Sequence, residues 1–258
     1  MDWLYTLSGF VVGAIVGLTG VGGGSLMTPL LVLLFGVHPA TAVGTDLLYA
    51  AVTKAGGTVA HAKKGHVDWQ ITGRLALGSI PAAAVTLWAM SHFHIHSKEF
   101  TGIVSASLGV ALLLTAAALL FRHRLQKYAL AHADAPSRQC CLGPITIAVG
   151  AILGVLVSIS SVGAGALGVA ALFFLYPKLP AVRIVGSDVA HAVPLTLVAG
   201  IGHWFLGSVD WALLGSLLIG SLPGIWIGSH ASAKVPEKVL RPLLATMLVL
   251  IGTKLIAY

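Results

Sequence analysis

Two stretches rich in glycine and hydroxyl side chains hold the residues that are best suited to bind a small anion. The first stretch comprises Thr19, Gly20, Gly22, Gly23, Gly24 and Ser25, and the second comprises Ser158, Ser160, Ser161, Gly163 and Gly165. Each stretch lies between two short apolar segments. The helix that follows it presents free backbone N–H groups and the positive end of its dipole, and both attract an anion. We expect the two stretches to bind substrate. The alternative is that their glycines only let helices pack closely.

Lys54 is a cation within an apolar segment, where charged side chains are costly and commonly functional. It would give the path of an anion a fixed positive charge, and we therefore count it with the substrate-binding residues. The alternative is that its long side chain snorkels to the membrane interface.

Four further ionisable residues form equivalent pairs, and a fifth lies beside one of them. Asp46 and Asp188 lie near the predicted starts of two helices, where a carboxylate can cap the helix or complement its dipole. Alternatively, they take up protons for coupled transport, together with His191, one turn after Asp188. His61 and His203 either share a packing role, such as a hydrogen bond to a backbone carbonyl, or relay protons.

Composition places all these residues in a membrane. Of the 258 residues, 57% are hydrophobic and 9% charged, and the mean hydropathy is +0.95, whereas a soluble domain carries about 25% charged residues. Apolar runs such as 103–121 and 239–258 are long enough to cross hydrocarbon as helices. We predict an all-α integral membrane protein surrounded by lipid, with no metal or cofactor. The net charge of +7 comes from cations that flank the apolar runs, so nucleic acid is not expected as a partner.

The second half of the chain repeats the first. The sequence Gly65-His-Val-Asp-Trp69 recurs 142 positions later as Gly207-Ser-Val-Asp-Trp211, and further glycine and proline positions match at the same spacing or at 141. Each half divides into five apolar segments, the first two of which are short and expected to be broken or re-entrant. The predicted organisation is a first repeat over 1–121, a linker over 122–143 and a second repeat over 144–258. An odd number of segments per repeat predicts that the second repeat is inverted across the membrane.

The distribution of cations indicates the orientation. If the linker is cytoplasmic, the loops around 62–66, 178–183 and 232–241 are also inside, and these regions together hold most of the lysines and arginines. Cytoplasmic loops carry such an excess of basic residues. We therefore expect a multi-pass protein of the cell inner (plasma) membrane, with a cytoplasmic linker and both termini outside.

The first glycine-rich stretch and its surroundings resemble a known family. The positions are Gly13, Gly17, Gly20, Gly22 and Gly24, followed by Pro29 and by Ala42-x-Gly44-Thr45. This pattern is similar to that of the sulfite exporter TauE/SafE family of membrane permeases, and the repeated copy extends the resemblance over essentially the whole chain. The resemblance implies secondary transport of small sulfur-containing anions, such as sulfite or organosulfonates, without an ATPase domain. The second stretch departs from the pattern, with serines where the first has glycines, so the identity of the anion stays open.

A secondary transporter that exports such an anion, coupled to protons or to the membrane potential, is thus the leading hypothesis. An anion channel is the nearest alternative. An intramembrane enzyme belongs to a different class, but the chain lacks a Gly-x-Ser-x-Gly elbow and a His-Glu-x-x-His motif. A structural scaffold would not require duplicated helix breaks. Whether the chain acts alone or as a homodimer is also left open.

Overall fold

A computed structural model describes residues 3–19, 24–92, 98–131, 136–231 and 237–256, and every element in these ranges is an α-helix. The helices are α1 Trp3–Thr19, α2 Gly24–Phe35, α3 Pro39–Lys63, α4 Trp69–His92, α5 Lys98–Ala131, α6 Pro136–Ser160, α7 Ala166–Leu175, α8 Ala181–Phe205, α9 Trp211–Ala231 and α10 Glu237–Ile256. The all-α prediction is confirmed, and each predicted apolar segment corresponds to one helix.

The largest differences from the predicted segments lie where the two halves join. The helix α5 continues to Ala131, ten residues beyond the predicted end of its segment at 121, because 122–131 contain neither glycine nor proline to interrupt it. The helix α6 starts at Pro136, and a proline is well tolerated in the first turn because its missing N–H would have no intrahelical acceptor there. The range predicted as a linker is therefore largely helical.

Five helical stretches are long and apolar enough to cross a membrane: Trp69–His92, Thr101–Phe121, Cys141–Ser160, Ala181–Phe205 and Trp211–Gly228. By contrast, α2 has 12 residues and α7 has 10, which correspond to rises of only about 18 and 15 Å. Neither could cross about 30 Å of hydrocarbon unaided. The expectation of short segments early in each half is thus met by α2 and α7, whereas α6 has 25 residues.

Equivalent glycines make equivalent contacts in the two halves. A Cβ on Gly9 of α1 would collide with the backbone of Leu217 in α9, and a Cβ on Gly150 of α6 would collide with the backbone of Leu75 in α4. The helix pairs α1–α9 and α6–α4 are therefore packed backbone to backbone, as small residues allow in membrane proteins. Each pair joins one helix from either half of the chain.

The equivalent helices α3 and α8 pack against each other and run in opposite directions. Gly44, near the start of α3, lies against His203 near the end of α8, and Gly186, near the start of α8, lies against His61 near the end of α3. The following turns are tied down in the same way: Asp210 N donates to Thr45 Oγ1 at 3.1 Å, and Asp68 N donates to Ser187 Oγ at 2.8 Å. These two helices carry nearly all the ionisable residues singled out above.

Candidate functional site

The helix break in the second half lies inside the protein. Between α6 and α7 the backbone has positive φ angles at Ser161 (58°), Gly163 (126°) and Gly165 (140°). Each of these three residues is buried, and so is Ser160, whose hydroxyl accepts a hydrogen bond from the N–H of Val162 at 3.2 Å. Glycine permits these backbone angles at little cost, which explains two of the three positions. The break, residues 161–165, thus places irregular backbone in the interior, which a membrane allows only inside protein or along a cavity.

The ammonium group of Lys54 contacts this break. Its Nζ donates a hydrogen bond of 2.6 Å to the carbonyl oxygen of Ala164, and the residue is only 7% exposed. The alternative in which Lys54 snorkels to the interface is therefore wrong. A single cation is held at the tip of a broken helix, where α3 meets the α6–α7 connection.

Asp46 is held by two hydroxyl groups. Its Oδ2 accepts hydrogen bonds from Thr28 Oγ1 of α2 and from Ser161 Oγ of the break, the latter at 2.9 Å. The side chain is completely buried. The capping role expected for Asp46 is wrong, because α3 begins at Pro39, seven residues earlier, and its N-cap is His38.

Asp188 is as deeply buried as Asp46, but neither of its carboxylate oxygens has a hydrogen-bond partner among the described residues. One of these oxygens, Oδ1, lies against Gly168 of α7, so closely that a Cβ at that position would overlap it. Gly168 lies one helical turn after Ala164, whose carbonyl oxygen Lys54 contacts, so Asp188 and Lys54 both lie at the start of α7. The capping role is wrong here too, since α8 begins at Ala181 and its N-cap is Pro180.

The histidines occupy three different environments. His191 Nε2 hydrogen-bonds Ser79 Oγ of α4 at 2.8 Å, whereas His191 Nδ1 has no partner in the described part of the chain. His203 Nε2 lies 2.9 Å from the carbonyl oxygen of Ser158, which fits the packing role considered for it. His61 is half-buried and faces His66, with 5.8 Å between the ring centroids. His203 is thus fully buried, whereas its mate lies nearer to the surface.

The structure brings part of the predicted site together. Hydrogen bonds connect both Lys54 and Asp46 to the break. Asp188 lies next to them, against Gly168 in the first turn of α7. Ser158 and Ser160 are buried on the last turn of α6. Of the first stretch, Gly20, Gly22 and Gly23 lie outside the described residues, and so do the side chains of Thr19, Gly24 and Ser25.

Two partners of the buried charges were not expected from the sequence. Thr28 is a single hydroxyl in an apolar helix, and nothing in its spacing singled it out. Ser79, the partner of His191, has a serine at the equivalent position, Ser221, and both are fully buried. A buried hydroxyl that recurs in both halves is therefore a usable signal for a polar partner.

Asp68 and Asp210 cap the helices that follow them, as their positions before Trp69 and Trp211 predict. Asp68 Oδ1 accepts from the N–H groups of Gln70 and Ile71, both at 3.2 Å. Asp210 Oδ1 accepts from the N–H groups two and three residues further on, both at 2.9 Å. These hydrogen bonds fix the starts of α4 and α9.

Helices that can cross a membrane, with buried charges at a helix break, define a polytopic membrane protein with an internal polar site. Residues 5–255 match the family described as Sulfite exporter TauE/SafE, so the chain belongs to this family and is a multi-pass membrane protein of the transporter class. The family and its relatives indicate a transporter rather than an enzyme.

Proteins described as probable membrane transporters are similar to this chain over most of their length. The probable membrane transporter protein YjnA of Bacillus subtilis (strain 168) is 38% identical, over 97% of this chain and 98% of its own. The probable membrane transporter protein YdhB of the same organism is 29% identical, over 90% and 91%. A probable membrane transporter protein of Xylella fastidiosa (strain Temecula1) is 28% identical, over 88% and 84%. No solved structure is similar enough to count as a match.

Proposed function

We propose that this protein is a secondary transporter that exports small sulfur-containing anions, such as sulfite or an organosulfonate, across the inner (plasma) membrane. The observation that carries the proposal is the position of Lys54: a buried ammonium group held at the break between α6 and α7. A cation at such depth is costly unless it is paired, and an anion that replaces its intramolecular partners stabilises it. The family description names sulfite, which gives the chemical class of the anion.

Pyramidal and tetrahedral sulfur oxyanions suit the groups around Lys54. Their oxygens accept hydrogen bonds and carry the negative charge, so they need a cation together with N–H or O–H donors. The N–H groups of Ala166 and Leu167 begin α7 without an acceptor in that helix, and the hydroxyl group of Ser160, which bonds Leu156 O in this structure, lies at the end of α6. A neutral solute would leave the ammonium group without a counter-charge.

Transport in this proposal is coupled to protons or to the membrane potential. Asp46, Asp188 and His191 lie around Lys54, so the proton occupancy of one of them depends on the charge of the others. Binding an anion changes that balance. The same groups therefore favour a carrier, whose transport is linked to protonation, over a channel, whose flux would not need them.

The proposed topology has two inverted repeats, 1–121 and 144–258, with the segment between them in the cytoplasm and both termini outside. It is supported by the opposite directions of the equivalent helices α3 and α8. The charges of the equivalent loops fit the same arrangement, since Lys63 and Lys64 have Phe205 and Leu206 at the equivalent positions and thus no basic counterpart.

Anion flux in proteoliposomes tests the proposal. The purified full-length chain is reconstituted and assayed with labelled sulfite, sulfate, thiosulfate and methanesulfonate, with protein-free liposomes as the control. We expect saturable flux of at least one sulfur oxyanion and trans-stimulation by the same anion on the other side. Folded protein that moves none of the four anions would refute the proposal, and flux without saturation or trans-stimulation would identify a channel.

A further inference from the structure

The two equivalent aspartates differ in what holds them. Both are completely buried, but Asp46 accepts hydrogen bonds from Thr28 and Ser161, whereas neither oxygen of Asp188 has a hydrogen-bond partner in the described residues. A buried carboxylate without donors is unfavourable when it is charged, and a nearby cation offsets only part of that cost. The two carboxylates therefore depend on Lys54 to different degrees.

The sequence encodes this difference. At the spacing of 141 that relates the first segments of the two halves, the position equivalent to Thr28 is Val169, and the position equivalent to Ser161 is Gly20. Neither replacement carries a hydroxyl group. Asp188 thus lacks both donors because the second repeat and the first differ at the two positions that serve Asp46.

A third position leaves room for the unpartnered carboxylate. Gly168 lies against Asp188 Oδ1, and any side chain there would displace this oxygen. The equivalent residue in the first half is Met27, which is fully buried. The two halves also differ in their positive charge, because the residue equivalent to Lys54 is Thr196. The site therefore has one ammonium group for two buried carboxylates.

We propose that Asp188 is the exchangeable counter-charge of Lys54: its carboxylate balances the ammonium charge when the site is empty, and it is protonated when the transported anion takes over that role. Asp46, held by two hydroxyl groups, keeps its state throughout. The step is balanced, since one proton from water converts the carboxylate to a carboxylic acid and one anionic charge replaces the one that is lost. On the opposite side the anion leaves, Asp188 releases the proton, and its carboxylate again balances the charge of Lys54.

This inference rests on the proposed anion transport and specifies its coupling. One proton accompanies each negative charge in the same direction, so the cycle is a symport. Export then follows when the anion concentration in the cytoplasm is high enough to outweigh an inward proton gradient. The coupling is reversible, and a proton gradient alone concentrates the anion on the alkaline side.

The helices α3, α4, α6 and α7 pack against α8, and all of these except α7 carry ionisable groups. These groups are Asp46, Tyr49, Lys54, His61 and Lys63 on α3, Arg74 and His92 on α4, Arg138, Cys140 and Cys141 on α6, and Arg183, His191 and His203 on α8 itself. Asp68, just before α4, pairs with Arg183 at 3.3 Å. The described side chains of α7 are all apolar. Lys54 contacts Ala164, one turn before the Gly168 that Asp188 Oδ1 touches, whereas the Asp68–Arg183 pair compensates itself.

Transport by Asp188→Asn and Asp46→Asn tests the assignment. Uptake of [35S]sulfite into proteoliposomes is measured under an inward proton gradient, and exchange against unlabelled internal sulfite is measured without a gradient. A gradient of about one pH unit should concentrate the anion up to about tenfold with the wild type. Asp188→Asn should retain exchange and lose this accumulation, whereas Asp46→Asn should still accumulate the anion, whatever its rate. Protonation of sulfite itself is the same for all variants, so their differences report the protein.

A second test adds a hydrogen-bond donor beside Asp188 through a nearly isosteric substitution and leaves the carboxylate in place. Val169→Thr places a hydroxyl group where Thr28 stands in the first half, and a hydrogen bond to a charged carboxylate stabilises it. Proton-driven uptake should then reach its half-maximum at a pH lower by about one unit. Thr28→Val, the reciprocal change, should leave that pH unchanged. Should Asp188→Asn not fold, an unshifted profile in Val169→Thr overturns the proposal.

The outcomes separate the inference from the function on which it rests. A wild type that moves no anion refutes the transport function itself. A wild type that exchanges sulfite but gains nothing from a proton gradient leaves transport intact and overturns the symport. Asp188→Asn that accumulates the anion as the wild type does, or loss of accumulation in Asp46→Asn alone, assigns the proton to another residue.

Discussion

Single side chains in this protein take their roles from the donors around them more than from their positions in the sequence. Asp68 and Asp210 are half-exposed or exposed carboxylates that accept from backbone N–H groups at helix starts, whereas Asp46 and Asp188 are buried and lie two turns inside their helices. The same residue type thus serves stability in one pair and is available for chemistry in the other.

Removal of the cap at Asp210 should lower stability without affecting anion binding. Asp210→Ala deletes an acceptor for two N–H groups of α9, and such changes cost about 1 kcal/mol. The midpoint of thermal unfolding in detergent measures the loss, and Asp210→Asn, which keeps a capping oxygen, is the matched control. A variant with an unchanged midpoint would show that the cap contributes nothing.

The equivalent change, Asp68→Ala, should cost somewhat more. Asp68 also accepts from Arg183 at 3.3 Å, and an ion pair that is partly exposed adds up to about 1 kcal/mol. Salt distinguishes the two contributions, because it screens the ion pair but not the cap. The difference between the two alanine variants should shrink as the salt concentration rises; a constant difference would contradict a role for Arg183.

The helices meet through glycines whose neighbours could not be foreseen. Their spacing indicated close packing or a binding site, and the structure shows close packing for Gly9, Gly78, Gly150 and Gly220. Which helix each one touches depends on contacts between residues that are far apart in the sequence. The existence of the helices and the caps at Asp68 and Asp210 followed from local sequence, whereas the capping roles expected for Asp46 and Asp188 did not hold.

Gly78→Ala should destabilise the α4–α6 pair, whereas Gly73→Ala in the same helix should not. A Cβ at position 78 would overlap the carbonyl oxygen of Ile147, while nothing lies within 4 Å of a Cβ at position 73. Overpacking costs about 1–3 kcal/mol, and alanine in an open helical position stabilises by up to about 1 kcal/mol. Thermal unfolding of both variants provides the comparison, and equal midpoints would argue against backbone-to-backbone packing.

The break between α6 and α7 should respond to a side chain at Gly165. Its φ of 140° is rarely adopted by other residues, so Gly165→Ala strains the backbone by about 1–3 kcal/mol. Because Lys54 is bonded to the adjacent carbonyl of Ala164, we expect anion affinity to fall along with stability. Gly36→Ala is the control for strain alone, since Gly36 has a φ of 63° and lies outside the break. Equal anion affinity in both variants would show that the break does not belong to the binding site.

The whole chain is best described by its internal duplication, which the sequence revealed before any contact was known. Equivalent residues meet equivalent partners, as the turns after α3 and α8 do through Thr45 and Ser187. What duplication could not predict is where the copies differ. Lys54, Thr28 and Ser161 each have an equivalent residue without the same chemical group. Thr28 and Ser161 hold Asp46, and Lys54 is bonded to the break that carries Ser161. The partners of a site that uses such differences had to be found in the structure.

The inverted orientation makes a prediction about two equivalent positions. Lys64 and Leu206 are the C-caps of α3 and α8. In a background without Cys140 and Cys141, a membrane-impermeant maleimide should label Leu206→Cys in intact cells and Lys64→Cys only after permeabilisation. Labelling of both positions from the same side would rule out inverted repeats.

The most direct measurement of the central claim is sulfite flux through a variant that lacks the buried cation. Lys54→Thr introduces the residue found at the equivalent position, Thr196. The replacement side chain is polar, and the fold already accommodates it at the equivalent place in the second half. With Lys54 as the binding charge, saturable [35S]sulfite exchange in proteoliposomes should fall by at least about tenfold, since a buried charge contact contributes more than 1.4 kcal/mol. Lys254→Thr, an exposed lysine of α10, should transport as the wild type does. Undiminished exchange by folded Lys54→Thr would contradict the assignment of this site.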